Sequence, residues 1–291
     1  MQSVQKLKKE LQLNAELTDL LDVLKGIASS EFRALERNKE RFAKFLNAFE
    51  GFFQMIDFSL AEHPFARDFS GKLGIIMVTS DEGFMGGLNT KVINAALNYD
   101  GADKAALIII GERGASYLKG LGRAFTPFPG VKADSCYESA LGLKDFIMKE
   151  GLAGTFSKLM LIYPRPVSFT MQKIEILKLL PCGELFEKQG ISRGPGDGKQ
   201  DLFTEKVIIE SSLSGIIEYL VSAWIAEKLY EVFEDSKLSE FSARTVHLEE
   251  SYQLLLERGK SIGFQYFRSH HDLVDKGMRE TFSARMISKK G

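Results

Sequence analysis

The residues that most resemble a chemical site lie at "TSDEGFMGGLN" (79–89), where an apolar run breaks into a glycine-rich turn before a predicted helix. Glycines at such a junction can bring backbone N–H groups close to a phosphate. The spacing is neither the G-x-G-x-x-G of a dinucleotide site nor the G-x-x-x-x-G-K-[ST] of a phosphate loop. Two interpretations stay open: weak anion binding by Gly83, Gly86, Gly87 and Asn89, or a tight strand-to-helix turn that needs glycine.

The other polar candidates have simpler explanations. Asp81 and Glu82 carry carboxylates, but acidic residues close to a helix N-terminus are expected for capping and for the helix dipole. His270 and His271 are adjacent on a predicted helix and point about 100° apart, unlike the i, i+4 pair that shares a metal. There is no G-x-S-x-G elbow either. The sequence therefore predicts no catalytic residue, no metal site and no cofactor.

The N-terminal segment has the periodicity of a long helix. Its apolar residues recur in alternating steps of three and four, and the first proline is Pro64, which predicts one helix from about Val4 to about Phe58. The main stripe consists of Leu7, Leu11, Leu21, Ala28, Phe32, Leu35, Phe42, Leu46, Phe49, Phe53 and Ile56, with Lys39 as an interruption. A second, adjacent stripe consists of Leu13, Leu17, Leu20, Leu24 and Ile27.

The C-terminal segment has the same spacing. It predicts a second long helix from about Ser211 to about Arg285, which the sequence allows to be interrupted near Asp235. Its stripe is Phe241, Thr245, Leu248, Tyr252, Leu255, Gly259, Ile262, Tyr266, Ser269 and Leu273. The two segments could pair as an antiparallel coiled coil or pack as ordinary bundle helices, and periodicity alone does not separate these arrangements.

The middle of the chain alternates strand and helix patterns. Short apolar runs predict β-strands at 72–80, 105–111, 157–164 and 173–180. Helical patterns lie at 86–99, 111–120 and 134–150. A polar Gly/Pro loop at 191–200 precedes a further predicted strand at 206–210. This order favours a small, mostly parallel sheet covered by helices.

Composition excludes several classes of function. With 291 residues, 44% of them hydrophobic, the chain can bury a full core. A net charge of -1 gives no electrostatic reason to bind nucleic acid. No apolar run approaches the roughly 18 residues that span a membrane, and the first 17 residues resemble no leader. The two cysteines lack CxxC spacing. We therefore expect a folded cytoplasmic chain that does not cross a membrane.

Three separated segments resemble the γ subunit of the F-type ATP synthase. Residues 79–89 are similar to the family's T-S-D-R-G-L-C-G-G-L-N, and "SEFSAR" (239–244) is similar to S-E-H-A-A-R. "LDVLKGIASSEFRALE" (21–36) resembles K-A-M-K-M-V-A-A-S-K-L-R-R-A-Q, with Leu24 at the Met, Lys25 at the Lys and Arg33 at one Arg. Agreement in three segments, in the family's order, is more specific than any one motif.

The departures from the family pattern indicate a divergent member. Glu82 stands for the usual Arg, Met85 for Cys, Glu31 for Lys and Ala34 for the second Arg. The C-terminal signature is reduced to Val274, Asp275, Gly277 and Glu280. The contacts of this C-terminal tip are the part of the resemblance that is least preserved.

The resemblance implies an α/β fold, with a small, mostly parallel Rossmann-like sheet domain and a long antiparallel coiled coil formed by the two terminal helices. The implied domains are an N-terminal helix (1–58), an α/β foot (59–206) and a C-terminal helix (207–291) that pairs with 1–58. The implied function is that of a non-catalytic rotor shaft, which couples ion translocation to ATP synthesis or hydrolysis by rotation.

The resemblance also implies partners and a location. The partners are the α and β subunits, the ε subunit and the membrane c-ring, and the chain would be peripheral, at the cytoplasmic face of the plasma membrane. Residues implied in partner contact or coupling are Leu24, Lys25, Arg33, Ser239, Glu240, Arg244 and Glu280. Residues implied in the turn of the foot are Asp81, Gly83, Gly86, Gly87 and Asn89.

A shaft of this kind has physical requirements that the sequence meets. Large apolar side chains such as Phe32, Phe42, Phe49 and Phe53 can fill a continuous seam. Charges such as Lys25, Arg33, Lys39 and Arg41 suit transient contacts with a ring, although they can equally be a solvated helix face. Two other functions remain as alternatives: a nucleotide-dependent α/β enzyme with helical arms, and a coiled-coil scaffold unrelated to ATP synthesis.

Overall fold

Long helices begin and end the described part of the chain, and strands alternate with short helices between them. The computed structural model describes residues 4–37, 65, 71–182 and 212–288. The helices are α1 (Val4–Glu36), α2 (Leu88–Leu97), α3 (Glu112–Gly120), α4 (Cys136–Leu152) and α5 (Leu213–Ser288), with a 3-10 turn at Ala102–Lys104. The strands are β1 (Leu73–Val78), β2 (Ala106–Ile110), β3 (Thr126–Phe128), β4 (Lys158–Pro166) and β5 (Gln172–Leu180).

The five strands form one sheet in the order β3-β2-β1-β4-β5. The pairs β1–β2, β1–β4 and β2–β3 are parallel, with Ile76 opposite both Ile108 and Leu161, while β4 and β5 are antiparallel. The sheet is thus mostly parallel, as predicted, and all four predicted strands in the described residues are present. Strand β3 was not predicted, because three residues that include Pro127 carry no period-two pattern.

Both faces of the sheet are covered, which is why its central strands are uniformly apolar. Ile76 and Val78 of β1 face one core cluster, which also contains Ile147 of α4 and Phe233 of α5. The alternate residues Ile75 and Met77 face a second cluster, to which α2 and α3 contribute. Since side chains of a strand alternate between faces, one short strand supports two cores.

The C-terminal helix is continuous, and the predicted interruption near Asp235 is wrong. Asp235 lies within α5, is 2% exposed and faces Arg165 of β4, with its Oδ2 3.7 Å from the guanidinium Nε. The predicted interruption assumed that a charged residue among apolar ones breaks the helix. The nearby guanidinium of Arg165 compensates the buried carboxylate of Asp235, so the helix can continue through this residue.

Several expectations fall on residues that the structure does not describe. Helix α1 ends at Glu36, and the predicted continuation to Phe58, with the seam residues from Lys39 to Ile56, lies outside the described residues. So do the predicted loop at 191–200 and the strand at 206–210. Because residues 58, 59, 206 and 207 are also outside them, the predicted domain limits stay predictions.

Contacts divide the chain into two compact units. We call residues 1–30 with 244–291 the helix unit, and residues 31–243 the sheet unit. Within the sheet unit, the end of α1 packs on α5 through Phe32 and Leu35 against Leu238 and Phe241. Phe32 also meets Phe169 edge to face, with ring centroids 4.9 Å apart.

In the helix unit, α1 and the distal part of α5 pair through the predicted seam. Leu7, Ala28, Leu248 and Ile262 are buried seam residues. Lys25 contacts Glu249, while the earlier Asn14 contacts the later Leu255, so the pairing is antiparallel. This confirms the predicted coiled coil.

Within the described residues, two parts of the predicted apolar pattern are exposed to solvent. Most of the second stripe of α1 faces solvent, with Leu13 55% and Leu20 53% exposed, while Leu24 is half-buried. Leu273, the last predicted seam position, is 60% exposed. The seam therefore ends near Ser269.

Among the described residues, no helix combines the length and the apolar character that crossing a bilayer requires.

We predict opposite effects for alanine at two helical glycines of the sheet unit. A Cβ at Gly114 would lie 2.2 Å from Thr79 Oγ1, so Gly114→Ala should lower the free energy of unfolding by about 1–3 kcal/mol. A Cβ at Gly142 meets nothing within 4 Å, so Gly142→Ala should raise it by about 0.5–1 kcal/mol. Urea unfolding followed by Trp224 fluorescence measures both, and equal midpoints would contradict the packing described.

Candidate functional site

The glycine turn after β1 takes a left-handed backbone conformation that favours glycine. Gly86 and Gly87 have φ of 56° and 83°, and Gly87 is the residue before α2. Phe84 in the same turn also has a positive φ, of 65°. Left-handed backbone is accessible to glycine without a steric penalty. The structural interpretation of these glycines is therefore sufficient to explain them.

Asn89 and Ser80 close this turn with hydrogen bonds. The Ser80 N–H donates to Asn89 Oδ1 at 3.2 Å, and Asn89 Nδ2 donates to Ser80 Oγ at 2.9 Å. The Ser80 hydroxyl in turn donates to the carbonyl of Glu82 at 2.9 Å. The Asn89 amide thus binds the end of β1 to the first turn of α2.

Asp81 has a structural role at a different helix. Its Oδ1 accepts a hydrogen bond from the N–H of Glu112, the first residue of α3, at 2.8 Å. A carboxylate in this position satisfies a free N–H group and complements the helix dipole. The carboxylate therefore meets the helix that follows β2, whereas the sequence pattern pointed to the helix that follows the turn itself. A Cβ at Gly130 would lie 2.3 Å from this carboxylate, so Gly130 permits the approach.

A cleft of about 390 Å³ lies beside the turn. Phe84, Met85, Arg113 and Tyr117 are among the residues that line it. Of the described residues, no group of three or more His, Cys, Asp or Glu side chains is arranged to hold a metal ion. The lining of the cleft thus combines the Arg113 cation and the Glu82 carboxylate with aromatic surface.

The two cysteines are free and buried. Burial raises the pKa of the Cys136 thiol to about 11, and burial raises the pKa of Cys182 further. Only the thiolate is nucleophilic, and both groups stay protonated near neutral pH. Neither cysteine has the properties of a catalytic thiol.

The second motif binds α5 to the sheet. Ser239 is fully buried, and its hydroxyl donates to the main-chain carbonyl of Pro164 in β4 at 3.0 Å. Gln172 of β5 donates to Ser242 Oγ at 2.7 Å. Glu240 is 5% exposed and accepts a hydrogen bond from Lys237 at 2.7 Å. Ser239 and Glu240 thus have internal partners, and their predicted contact with another subunit remains a prediction.

The remaining candidate residues do not form one site. Lys25 Nζ lies 2.9 Å from Glu249 Oε2, so this cation bridges the two helices of the helix unit. Leu24 and Arg244 are half-buried, whereas Arg33 is exposed. Glu280 is exposed and lies 3.9 Å from Lys276 on the same helix.

Sequence reasoning missed the polar residues of the seam and the exposed end of α5. Asn14 and Thr18 occupy seam positions and are each 8% exposed. The spacing from Leu11 to Leu21 passes through both positions, so the signal was present. In the distal part of α5, large apolar side chains are 60% to 78% exposed, namely Phe264, Phe267, Leu273, Met278, Phe282 and Met286. Such a surface is typical of an interaction site.

Comparison with known sequences gives matches along nearly the whole chain. Residues 3–268 match the family described as ATP synthase. The chain is 22% identical to the ATP synthase gamma chain of Cytophaga hutchinsonii over 293 residues, which is 96% of this chain and 97% of that one. It is 26% identical to the gamma chain of Alkaliphilus metalliredigens over 214 residues, 73% of this chain and 72% of that one.

Solved structures have the same fold. A chain of the Euglena gracilis mitochondrial ATP synthase, from the OSCP/F1/c-ring structure, superposes with a TM-score of 0.69 at 15% identity and covers 99% of this chain and 96% of that chain. A chain of the Tetrahymena thermophila mitochondrial ATP synthase central stalk and c-ring gives a TM-score of 0.59 at 18% identity. The match covers 80% of this chain and 99% of that chain.

We predict that the hydroxyl of Ser239 stabilises the sheet unit. Ser239→Ala leaves the buried Pro164 carbonyl without this donor and should lower the free energy of unfolding by about 1–3 kcal/mol. Ser261→Ala, at an exposed position of the same helix, should change it by less than about 0.5 kcal/mol. Chemical denaturation of the two variants makes the comparison, and equal stability would show that Ser239 is not a structural residue.

Proposed function

Because the chain belongs to the ATP synthase family as a gamma chain, the non-catalytic shaft of the rotor, we propose that its paired helices turn inside a ring of α and β subunits. Rotation then couples ion translocation in the membrane sector to ATP synthesis or hydrolysis in the ring. The observation that carries this proposal is the antiparallel pairing of α1 with the distal part of α5, which the Lys25–Glu249 and Asn14–Leu255 contacts define.

The seam is suited to carry torque. Buried residues such as Leu7, Ala28, Leu248 and Ile262 hold the two helices together. Burial of a large aliphatic side chain contributes roughly 1.5–3 kcal/mol, so a repeated seam makes separation of the helices unfavourable. Two helices held in this way twist and bend as one body, whereas a single helix would deform under load.

The exposed end of α5 is the proposed contact with the inner wall of the ring. Phe264, Phe267, Met278 and Phe282 present large apolar side chains that the described chain leaves uncovered. Contact with a partner would remove this surface from water. We therefore assign the distal end of α5 to the α and β subunits.

The sheet unit is the proposed foot, which binds the ε subunit and the c-ring. Its attachment to α5 supports this assignment, since Ser239 and Gln172 fasten the helix to β4 and β5. A force applied to the sheet therefore passes into α5 through short, buried bonds. The glycine turn and Asp81 belong to the architecture of the foot, and neither is assigned a ligand.

The chain is part of the F1 portion of the enzyme and is peripheral to the membrane. We propose that it lies at the cytoplasmic face of the plasma membrane. The two buried, unpaired cysteines support a reducing compartment.

We predict that the isolated chain neither hydrolyses ATP nor binds it tightly. The turn after β1 uses its polar groups internally, and a likeness of fold does not transfer nucleotide chemistry. Calorimetric titration of the purified chain with Mg-ATP tests this prediction. A titration of the same chain with Mg-AMP is the control for nonspecific binding of nucleotides. A dissociation constant in the micromolar range would favour the alternative function as a nucleotide-dependent enzyme.

We predict that Arg33 affects coupling more than folding. It is exposed on α1, and reversing a charge at a moving interface favours some rotary positions over others. An interaction of about 0.5–1 kcal/mol changes a rate by a factor of about 2–5. Arg33→Glu should lower ATP-driven ion pumping by about this factor, and ATP hydrolysis by less, while helix content is unchanged.

The measurement uses the complex reconstituted in vesicles, with pumping and hydrolysis determined on one preparation. Lys9→Glu, a charge reversal at another exposed position of α1, is the control. If Arg33→Glu keeps the wild-type ratio of the two rates, Arg33 is a solvated residue of the helix face.

A further inference from the structure

Polar residues interrupt the seam of the helix unit at three positions of α1. Asn14 and Thr18 are each 8% exposed, and the Lys25 side chain is 25% exposed. Seam positions of a coiled coil are normally apolar. A polar group there stabilises the pair less than an aliphatic side chain would, but it favours the one register in which its partner is present.

Lys25 has three partners at once. Its ammonium lies 2.9 Å from Asp22 Oδ1 on its own helix and 2.9 Å from Glu249 Oε2 on α5, and 4.6 Å from the centroid of the Tyr252 ring. Hydrogen bonds with Asp22 and Glu249 raise the pKa of Lys25. This cation is therefore held between the helices and is not directed away from them.

Glu249 is held equally firmly. Its Oε1 accepts a hydrogen bond from Gln253 Nε2 at 2.8 Å, while Oε2 receives Lys25. The hydrogen bonds of Gln253 and Lys25 lower the pKa of Glu249. Both carboxylate oxygens are engaged, which fixes the rotamer that meets Lys25.

A second polar contact lies further along the pair. Asn14 Nδ2 donates to the main-chain carbonyl of Leu255 at 2.9 Å. A Cβ at Gly259 would lie 2.8 Å from this nitrogen, so the approach depends on glycine at that position. Thr18 donates to the carbonyl of Asn14 at 2.7 Å within α1.

We propose that the Lys25–Glu249 pair and the Asn14–Leu255 hydrogen bond, which needs glycine at 259, fix the register of the helix pair, which makes Lys25 a positioning residue for torque transmission. An apolar seam opposes separation of two helices, but it tolerates a slide by one heptad, of about 10 Å, because the pattern repeats. Such a slide would put Ser242 or Leu256 in place of Glu249. It would put Tyr252 or Tyr266 in place of Gly259.

This assignment rests on the proposed rotor function and differs from a contact of Lys25 with the ring. In a ring contact, the sign of the charge at position 25 decides the effect. If the pair instead fixes the register of the two helices, the effect depends only on whether positions 25 and 249 carry opposite charges. Exchanging the two charges separates these mechanisms.

The first experiment measures the ratio of ATP-driven pumping to hydrolysis in the reconstituted complex. Lys25→Glu and Glu249→Lys should each lower the ratio by about twofold or more, since each places like charges together. The double variant that exchanges the charges should recover most of the ratio. Lys260→Glu, at an exposed position of α5, is the matched control and should leave the ratio unchanged.

A double variant as impaired as Lys25→Glu alone would overturn the proposal in favour of a ring contact. Wild-type values for both single variants would overturn it as well. Absence of any ATP-driven pumping in the wild-type complex would instead contradict the rotor function, so the two failures are distinguishable.

The second experiment reads the register directly in the full chain. Because Asn14 faces Gly259 in an antiparallel pair, Leu11 is opposite Ile262, and cysteines at 11 and 262 should form an intramolecular disulfide when Cys136 and Cys182 are replaced by Ala. Cysteines at 11 and 255, one heptad away, should not.

In the apolar seam variant Asn14→Leu with Lys25→Met, we expect the shifted pair at 11 and 255 to crosslink as well. We also expect its thermal unfolding midpoint to equal or exceed that of the wild type, since apolar residues replace polar ones in the seam. If Asn14 and Lys25 only stabilised the fold, their replacement would lower the unfolding midpoint, and only the pair at 11 and 262 would crosslink. That result would overturn the proposal.

Discussion

The structure depends on one long-range contact, the antiparallel pairing of two helices from opposite ends of the sequence. The hydrogen bond from Asn14 to Leu255 joins residues 241 positions apart. It exists only because α1 and α5 keep the same alternation of three- and four-residue steps, so that each turn of one helix meets a turn of the other. The sheet unit lies between these segments in the sequence, and its strands contribute no residue to the seam of the helix unit.

The residues that identify the family are used mainly for internal construction. Asn89 closes the turn after β1, Asp81 caps α3, and Ser239 fastens α5 to β4. Each makes a bond that a nonpolar residue could not make. These motifs therefore mark points where the backbone must be held, which explains how a glycine turn can resemble a nucleotide site without performing its chemistry.

Much of the fold could be predicted from periodicity, and the exceptions have physical causes. The seam from Leu7 to Ser269 and the strand around Ile76 follow from simple repeats. Strand β3 did not, because it is short and contains Pro127. The candidate site was less predictable. Ser239 binds a main-chain carbonyl, which leaves no pattern in the sequence, and the ion pair of Lys25 with Glu249 becomes visible only once the register of two distant helices is known.

The separation of the two seam segments also has a consequence during synthesis. At about 5–20 residues per second, the 241 residues that follow Asn14, up to and including Leu255, take roughly 10–50 s to translate. For most of that interval α1 is already synthesised but its partner segment is not, so the apolar stripes of α1 are accessible to other nascent chains. Non-local contacts of this kind form late. Polar residues in a seam stabilise pairing less than aliphatic ones, so Asn14, Thr18 and Lys25 weaken pairing of α1 with other copies of itself before the C-terminal helix of its own chain leaves the ribosome.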